Sequence, residues 1–371
     1  MIGTTEGDDR THMWAALRLA RRGLGQVWPN PAVGCVLVND GAVVGRGWTQ
    51  PGGRPHAETE ALRRAGGAAR GSVAYVTLEP CAHRGGTGSC AQALIDAGVV
   101  RAVVALRDRD PRVDGRGCEL LEGHGIDVVV GVGEETGGEI NAGFVSRVTQ
   151  GRPLITLKLA TTLDGHIATS SGESRWITGA PARSRAHMLR AQADAVMIGA
   201  RTVLADDPEL TCRLPGLESR SPIRVVIDGQ LTTPTTAKVV CDALTVPTWI
   251  ITIAGCDEGR RAALARNGVE VIEAVADSAG KVEIEAALAL LGDRGLTRVL
   301  VEGGGQLAGS LMANDLVDRM VWFQAPKIIG RDGVAAVAIS EVVSIDDART
   351  FRRLSTAALG EDMVNYMTRL D

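Results

Sequence analysis

The scarcity of aromatic residues constrains the fold most strongly, because 3% of the 371 residues are aromatic while 45% are hydrophobic. Such a chain can bury a full-sized core, but it must pack that core mainly with Val, Leu, Ile and Ala. Strands of this composition are typical of a parallel sheet covered by helices. At roughly 100–200 residues per domain, the length predicts two or three domains. The composition therefore indicates a globular α/β protein and excludes a disordered or fibrous one.

The charge balance limits the partners of the chain. A net charge of -4 and a pI near 5.9 provide no basic surface for a nucleic acid. The first apolar stretch, 13–20, is followed at once by two arginines. No apolar run approaches the ~18 residues that a membrane span needs. We therefore expect a cytoplasmic protein that acts on a small molecule, with no nucleic-acid and no membrane partner.

Helical and strand patterns alternate along the first 150 residues. Residues 11–22 repeat apolar positions at the spacing of one helix face, and two β-rich runs flank an Asp40-Gly41 turn that is typical of a hairpin. Further helices are predicted over 57–65, 91–97 and 117–123, and strands over 72–78, 99–105 and 126–130. This order predicts one α/β domain.

A polar, turn-forming segment at 147–153 interrupts the periodicity. We therefore predict two domains, 1–150 and 151–371. In the second, strands are predicted over 154–160, 195–199, 223–227, 248–253, 270–274, 298–301 and 319–323. Helical patterns lie between most of these strands, which indicates a second α/β domain.

Three residues suited to zinc follow one another in the first domain. His56 precedes a predicted helix, Cys81 follows a predicted strand, and Cys90 begins the next helix. Hydrolytic zinc sites use three protein ligands and keep a fourth position open for water. Glu58 would lie beside that water and move its proton to a leaving amine, as in the His-x-Glu and Pro-Cys pattern of nucleobase deaminases. The alternatives are a structural zinc, with His83 as its fourth ligand, or two unrelated buried thiols.

The residues around this pattern resemble a known family. Pro29-Asn30-Pro31, His56-Ala57-Glu58 and Glu79-Pro80-Cys81 through Cys90 are similar to the deaminase domain of the bifunctional RibD family of riboflavin biosynthesis. The resemblance implies a cytidine-deaminase-like three-layer α/β/α domain that deaminates 2,5-diamino-6-ribosylamino-4(3H)-pyrimidinone 5′-phosphate. It further implies His56, Cys81 and Cys90 as zinc ligands, Glu58 as the catalytic residue, and Asn30 and His83 as substrate contacts. Taken without the family, Asn30 is either a turn residue or an amide that reads a base edge.

The first domain departs from the family pattern at three places. Gly86 stands where the family usually has a basic residue, Gly88-Ser89 replaces a Pro-Pro pair, and Thr49 often is a His. Gly86 removes one expected substrate or phosphate contact, which Arg84 or Arg54 could supply instead. A charge-assisted hydrogen bond is worth roughly 1.5–3 kcal/mol, enough to weaken binding without abolishing the chemistry. The alternatives are a paralogue acting on a related aminopyrimidine, or a reductase with an impaired deaminase half.

Polar and glycine-rich strand ends indicate a ligand site in the second domain. Lys158, one of only four lysines, lies near the end of a predicted strand. The segment 302–305 (Glu-Gly-Gly-Gly) follows another strand and begins a helix, where free backbone amides bind phosphate. Gly131-Val132-Gly133 also follows a strand, but Glu134 and Glu135 would repel a pyrophosphate, so that segment is interpreted as a loop.

These second-domain motifs resemble the reductase domain of the same family, whose α/β fold is similar to dihydrofolate reductase. The resemblance implies NADPH-dependent reduction of 5-amino-6-(5-phosphoribosylamino)uracil to the ribityl product. It also implies a homodimer or higher homo-oligomer. The implied NADPH contacts are Ala160, Trp176, Thr202, Asp206, Gly304 and Gly305, and the implied substrate contacts are Lys158, Ser174, Arg190, Leu210, Arg213 and Glu302. Arginines suit the ribose phosphate, and a carboxylate suits the ribose hydroxyls.

Overall fold

The chain divides into two units, Met1–Gly151 and Arg152–Asp371. This division comes from a computed structural model that describes residues 6–82, 88–339 and 344–370. The division falls one residue beyond the boundary predicted from the sequence. Within the described ranges, no helix combines the length and the apolar character needed to cross a membrane.

The first unit is built on a five-stranded sheet between helices. Its strands are β1 (Gly34–Asn39), β2 (Ala42–Trp48), β3 (Val73–Val76), β4 (Arg101–Val104) and β5 (Asp127–Val130), in the order β2-β1-β3-β4-β5. Its helices are α1 (Glu6–Ala20), α2 (Ala57–Ala65), α3 (Cys90–Asp96), α4 (Arg116–Gly123) and α5 (Glu134–Gln150). β1 pairs antiparallel with β2 and β3, whereas β3, β4 and β5 are parallel. The hairpin predicted at Asp40-Gly41 is confirmed.

A hydrophobic core covers each face of this sheet. On β1, Cys35 and Leu37 belong to the cluster that includes residues of α2, α3 and α4. The alternate residues Val36 and Val38 belong to a second cluster, which includes residues of α1 and α5. Successive side chains of a strand point to opposite faces. The three-layer α/β/α arrangement predicted for the first half is therefore confirmed.

Glycine on β2 brings α2 directly against the strand backbone. A Cβ atom on Gly47 would lie 2.1 Å from the carbonyl oxygen of Ala57, closer than any side chain tolerates. Ala57 begins α2, and His56 immediately precedes it. This contact therefore fixes the helix turn that carries His56 and Glu58.

The second unit contains a nine-stranded sheet that is mainly parallel. Its strands are β6 (Leu154–Thr161), β7 (His166–Ala168), β8 (Ala195–Gly199), β9 (Ile223–Ile227), β10 (Thr248–Ile253), β11 (Glu270–Ala274), β12 (Arg298–Glu302), β13 (Arg319–Gln324), β14 (Val334–Ala335), β15 (Phe351–Leu359) and β16 (Asp362–Arg369). Its helices are α6 (Ala180–Ala191), α7 (Ala200–Asp206), α8 (Lys238–Cys241), α9 (Glu258–Ala265), α10 (Ile284–Asp293) and α11 (Gly305–Ala313). The sheet order is β11-β10-β9-β8-β12-β6-β13-β16-β15, with β7 and β14 paired separately. The α/β fold predicted for the second half is confirmed.

The structure corrects the prediction at the end of the first unit. The periodicity was predicted to end at Arg147, but α5 continues to Gln150. It ends there because Gly151 adopts a left-handed conformation and its N–H donates to the carbonyl of Arg147. The glycines at 131–133 do form a loop, and Glu134 and Glu135 then lie in the first turn of α5, where negative charge is favourable.

Candidate active sites

Three metal-binding side chains converge in the first unit. The ligand atoms of His56, Cys81 and Cys90 all lie within 4.8 Å of one another. His56 Nδ1 is 3.2 Å from Cys90 Sγ and 3.9 Å from Cys81 Sγ. His56 immediately precedes α2 and Cys90 begins α3, so two helix N-termini meet here. The structure thus brings the three predicted zinc ligands together.

The chemistry of these donors fits zinc. A hydrogen bond from the Cys90 thiol, with a further one from His56, lowers the pKa of Cys81 to about 4. The backbone N–H of Cys90 also donates to Cys81 Sγ at 3.3 Å. One imidazole and two thiols leave a fourth position for water, as a hydrolytic zinc site requires. His83, the proposed fourth ligand of a structural site, lies outside the described residues.

Glu58 lies beside the cluster without belonging to it. It is the second residue of α2, is 3% exposed, and lines the same cavity as His56 and Cys81. Burial, followed by the charge of Cys81, raises the pKa of Glu58 to about 7. A carboxyl group of that pKa both takes up and releases a proton at neutral pH.

A cavity of about 260 Å³ opens at this cluster, and Asn30 lines it. Thr49 also lines it; its hydroxyl donates to the carbonyl of Pro31 and accepts from the N–H of Val33, both at 3.0 Å. Thr49 therefore holds the Pro-Asn-Pro turn that presents Asn30. The departure at Ser89 is explained as well, because its hydroxyl accepts from the N–H of Gln92 and caps α3.

The sequence analysis missed several charged residues that line the cavity. Burial raises the pKa of Asp108 to about 6. Asp110 accepts a hydrogen bond from Arg112 at 2.5 Å. Both acids follow β4, at the carboxyl end of a parallel strand, where α/β proteins place ligands. Arg147 reaches the cavity from α5, and Arg54 from the segment before His56. Arg84 and Gly86 lie outside the described residues.

A buried charge cluster occupies the second unit. Arg190 on α6 binds Glu302 through Nε at 2.5 Å and Nη2 at 3.0 Å, and Lys158 Nζ lies 3.7 Å from the same carboxylate. Burial alone would raise the pKa of Glu302, but Arg190 and Lys158 outweigh it and lower this pKa to about 2. Burial also lowers the pKa of Lys158. The structure thus brings together three of the predicted substrate contacts.

Predicted cofactor contacts meet where β12 passes into α11. Gly304 has a positive φ of 78°, and a Cβ atom there would lie 3.0 Å from the hydroxyl oxygen of Thr202. Gly305 begins α11. Ala160 lies on β6, whose neighbour in the sheet is β12. The glycine loop therefore packs on α7 and leaves a helix N-terminus for a phosphate group.

The loop before α6 places the remaining predicted contacts on its outer side. Trp176 is 63% exposed, and the Arg183 guanidinium lies 4.4 Å from its ring centroid. Lys327 Nζ donates to the Trp176 carbonyl at 2.7 Å. The Ser174 hydroxyl donates to Asp206 Oδ1 at 3.4 Å, which links this loop to the end of α7.

Leu210 and Arg213 follow α7 on one loop. The Leu210 side chain is 3% exposed and packs in a hydrophobic cluster, so only its backbone is available for a substrate contact. Arg213 is half-exposed and pairs with Glu209 at 2.9 Å.

Known proteins share this architecture over nearly the whole chain. The riboflavin biosynthesis protein RibD of Aquifex aeolicus is 40% identical over 361 residues, which cover 97% of this chain and 98% of the relative. The RibD protein of Escherichia coli is 39% identical over 372 residues, which cover 97% of this chain and 99% of the relative. The solved structure of Acinetobacter baumannii RibD has a TM-score of 0.87 and 35% identity, covering 98% of this chain and 99% of that chain.

Two family models divide the chain between them. The cytidine and deoxycytidylate deaminase zinc-binding region matches residues 6–106, and the RibD C-terminal domain matches residues 153–365. Fold and sites together define a bifunctional enzyme in which a zinc-dependent deaminase is joined to a reductase. The chain belongs to the RibD family. The predicted bifunctional deaminase and reductase of riboflavin biosynthesis, with zinc and NADPH as cofactors, is confirmed.

Proposed function

We propose that the two units catalyse consecutive steps on one phosphorylated pyrimidine. The first unit deaminates 2,5-diamino-6-ribosylamino-4(3H)-pyrimidinone 5′-phosphate, and the second reduces the ribosyl group of the product. The observation that carries this proposal is the convergence of His56, Cys81 and Cys90 beside the buried Glu58. The cluster of Lys158, Arg190 and Glu302 gives the second unit a separate polar site.

Deamination uses Glu58 as the proton carrier. Zinc held by His56, Cys81 and Cys90 supplies a water of lowered pKa. Glu58 takes the proton released when the water oxygen bonds to the ring carbon and delivers it to the amine nitrogen, which leaves as ammonia. Burial of Glu58 keeps bulk water from competing for this proton. The Asn30 amide, presented by Thr49, hydrogen-bonds the polar edge of the ring.

Basic residues at the cavity suit the phosphate of the substrate. Arg54, Arg112 and Arg147 reach it from three separate segments of the chain. Guanidinium groups bind phosphate through paired hydrogen bonds. These side chains provide the charge that Gly86 does not, and they favour an active deaminase half over an impaired one.

Reduction takes place at the cluster of the second unit. NADPH supplies a hydride, which the sugar accepts at C1′. We assign the cofactor phosphates to the amides at Gly304 and Gly305, where α11 begins. Glu302 is ionised, because Arg190 and Lys158 hold its pKa low, and it accepts hydrogen bonds from the ribose hydroxyls. Arg213 binds the phosphate.

One assay tests both halves. Zinc-loaded protein is mixed with the diaminopyrimidine substrate and NADPH, and ammonia release and NADPH oxidation are followed together. We expect one NADPH oxidised for each ammonia released. A chelator should stop ammonia release but spare the reduction of added 5-amino-6-(5-phosphoribosylamino)uracil. If that substrate is reduced but no ammonia ever appears, the first unit does not deaminate the proposed substrate.

We also propose that the chain forms a homodimer through the second unit. β15 is the outermost strand of the nine-stranded sheet, and seven of its nine residues are exposed. An open edge of this kind readily pairs with another strand. Sedimentation equilibrium should therefore give a mass near twice 38.9 kDa, and Leu354→Lys on β15 should reduce it to that of one chain. A single-chain mass for the unmodified protein at micromolar concentration would contradict the dimer. The cytoplasmic location remains a prediction.

A further inference from the structure

Two side chains of α6 hold the backbone of the segment 211–213. The N–H of Arg213 donates to His187 Nδ1 at 3.2 Å, and Arg190 Nη1 donates to the carbonyl of Thr211 at 3.0 Å. His187 and Arg190 are three residues apart and therefore share one face of the helix. The amide between them in the segment, that of Cys212, donates instead to the hydroxyl of Ser221 at 3.1 Å. Two side chains of α6 thus bind this segment much as a neighbouring strand would.

The hydrogen bond from Arg213 fixes the protonation of His187. A backbone N–H can only donate, so Nδ1 must carry no proton, and the neutral ring bears its hydrogen on Nε2. Nδ1 also lies 3.2 Å from the carbonyl oxygen of Thr211, but that oxygen accepts from Arg190. Burial, followed by the charges of Arg190 and Arg213, lowers the pKa of His187, in agreement with a neutral ring.

The same helix face connects this segment to the buried charge cluster. Arg190 binds both Glu302 and the Thr211 carbonyl. The Arg213 side chain is 50% exposed and contacts Glu209 and the Thr211 hydroxyl. Where its guanidinium can reach depends on where its backbone is held. The described contacts that fix this backbone position include the one from His187.

We propose that His187 is a positioning residue for substrate binding in the reductase site. Its Nδ1 holds the Arg213 amide, and the Arg213 side chain then meets the substrate phosphate. His187 does not itself contact the substrate. This inference rests on the phosphate role proposed above for Arg213.

Two substitutions of similar shape separate the acceptor atom from the rest of the ring. In His187→Asn the side-chain oxygen takes the position of Nδ1, whereas His187→Leu places a methyl group there. We expect His187→Leu to raise the KM for 5-amino-6-(5-phosphoribosylamino)uracil roughly three- to tenfold, the loss of about one hydrogen bond. The reductase kcat and the KM for NADPH should change less than about twofold. His187→Asn should restore the substrate KM to within about twofold of the unmodified value.

His124→Leu is the matched control, because His124 is exposed, lies in the first unit, and contacts the Leu120 carbonyl through Nδ1. It should leave the reductase constants unchanged. If His187→Leu does not fold, His187→Gln replaces it, since its oxygen lies one carbon further out and should also raise the KM. A His187→Asn variant as weak in substrate binding as His187→Leu or His187→Gln would overturn the inference.

A double-mutant cycle with Arg213→Ala shows whether His187 acts through Arg213. In the Arg213→Ala background, His187→Leu should change the substrate KM less than about twofold, because the guanidinium is already absent. An equal rise in both backgrounds would show that His187 acts by another route, against the inference. If Arg213→Ala alone leaves the KM unchanged, the phosphate role of Arg213 fails and the inference fails with it. If Arg213→Ala raises the KM but His187→Leu does not, only the inference fails.

Discussion

Glu58→Gln is expected to lower the rate of ammonia release by roughly 10²–10⁴-fold, the usual contribution of a general acid–base residue. The amide has nearly the same shape but cannot carry the proton from water to the leaving amine. Because Glu58 does not belong to the cluster of His56, Cys81 and Cys90, zinc content measured by atomic absorption should be unchanged. Reduction of added 5-amino-6-(5-phosphoribosylamino)uracil should also continue at the unmodified rate.

Glu60→Gln is the matched control for this experiment. Glu60 lies two residues further along α2 and pairs with Arg63 and Arg64 rather than lining the cavity. Its substitution should leave ammonia release within about twofold, since pairs with exposed arginines contribute roughly 0–1 kcal/mol to stability. Ammonia release retained in Glu58→Gln, with zinc bound, would remove Glu58 from the mechanism.

Glu302→Gln is expected to destabilise the second unit by roughly 3 kcal/mol and to weaken substrate binding in the reductase. The substitution leaves Arg190 and Lys158 buried without their counter-charge, and breaking a buried ion pair typically costs about 3–5 kcal/mol. A Glu302 pKa lowered from 4.5 to about 2 gives a comparable figure, roughly 3 kcal/mol. The measurement is urea unfolding at pH 7, read on the transition that NADPH shifts in the unmodified protein.

The pH dependence of this difference has a definite sign. Ionised Glu302 contributes its stability fully above its unfolded pKa of about 4.3 and loses it as the pH falls towards its folded pKa. The difference between the unmodified protein and Glu302→Gln should therefore be full at pH 7 and shrink below about pH 4. Glu258→Gln, an exposed carboxyl paired with Arg261, should change stability by less than about 0.5 kcal/mol. A difference for Glu302→Gln that does not vary with pH would contradict the charged role.

The strands of the second unit show what the sequence can predict. Those at 195–199, 223–227, 248–253 and 270–274 were predicted with the bounds that the structure has. They are parallel strands in the sheet, so most of them form unbroken apolar runs. The hairpin of β15 and β16 was missed, because β15 is exposed on both faces and carries no hydrophobic alternation. An edge strand of that kind has no periodic signal.

The two sites differ in the same way. The zinc ligands and Glu58 could be predicted, because their spacing along the chain reflects two helix starts and one strand end. Asp108, Arg112 and Arg147 could not, since only the packing of β4 and α5 brings them to the cavity. His187 was missed for a related reason, because its role depends on a backbone amide 26 residues away, and backbone partners leave no mark in a sequence.

The zinc ligands lie at the ends of helices and strands, and this separates metal loading from folding. His56, Cys81 and Cys90 take no part in the hydrophobic clusters on the two faces of the first sheet. Those clusters form from aliphatic residues alone, so the apoprotein has a complete core before any ion arrives. Metal supply after synthesis then controls how much of the folded enzyme deaminates, while every copy remains able to reduce.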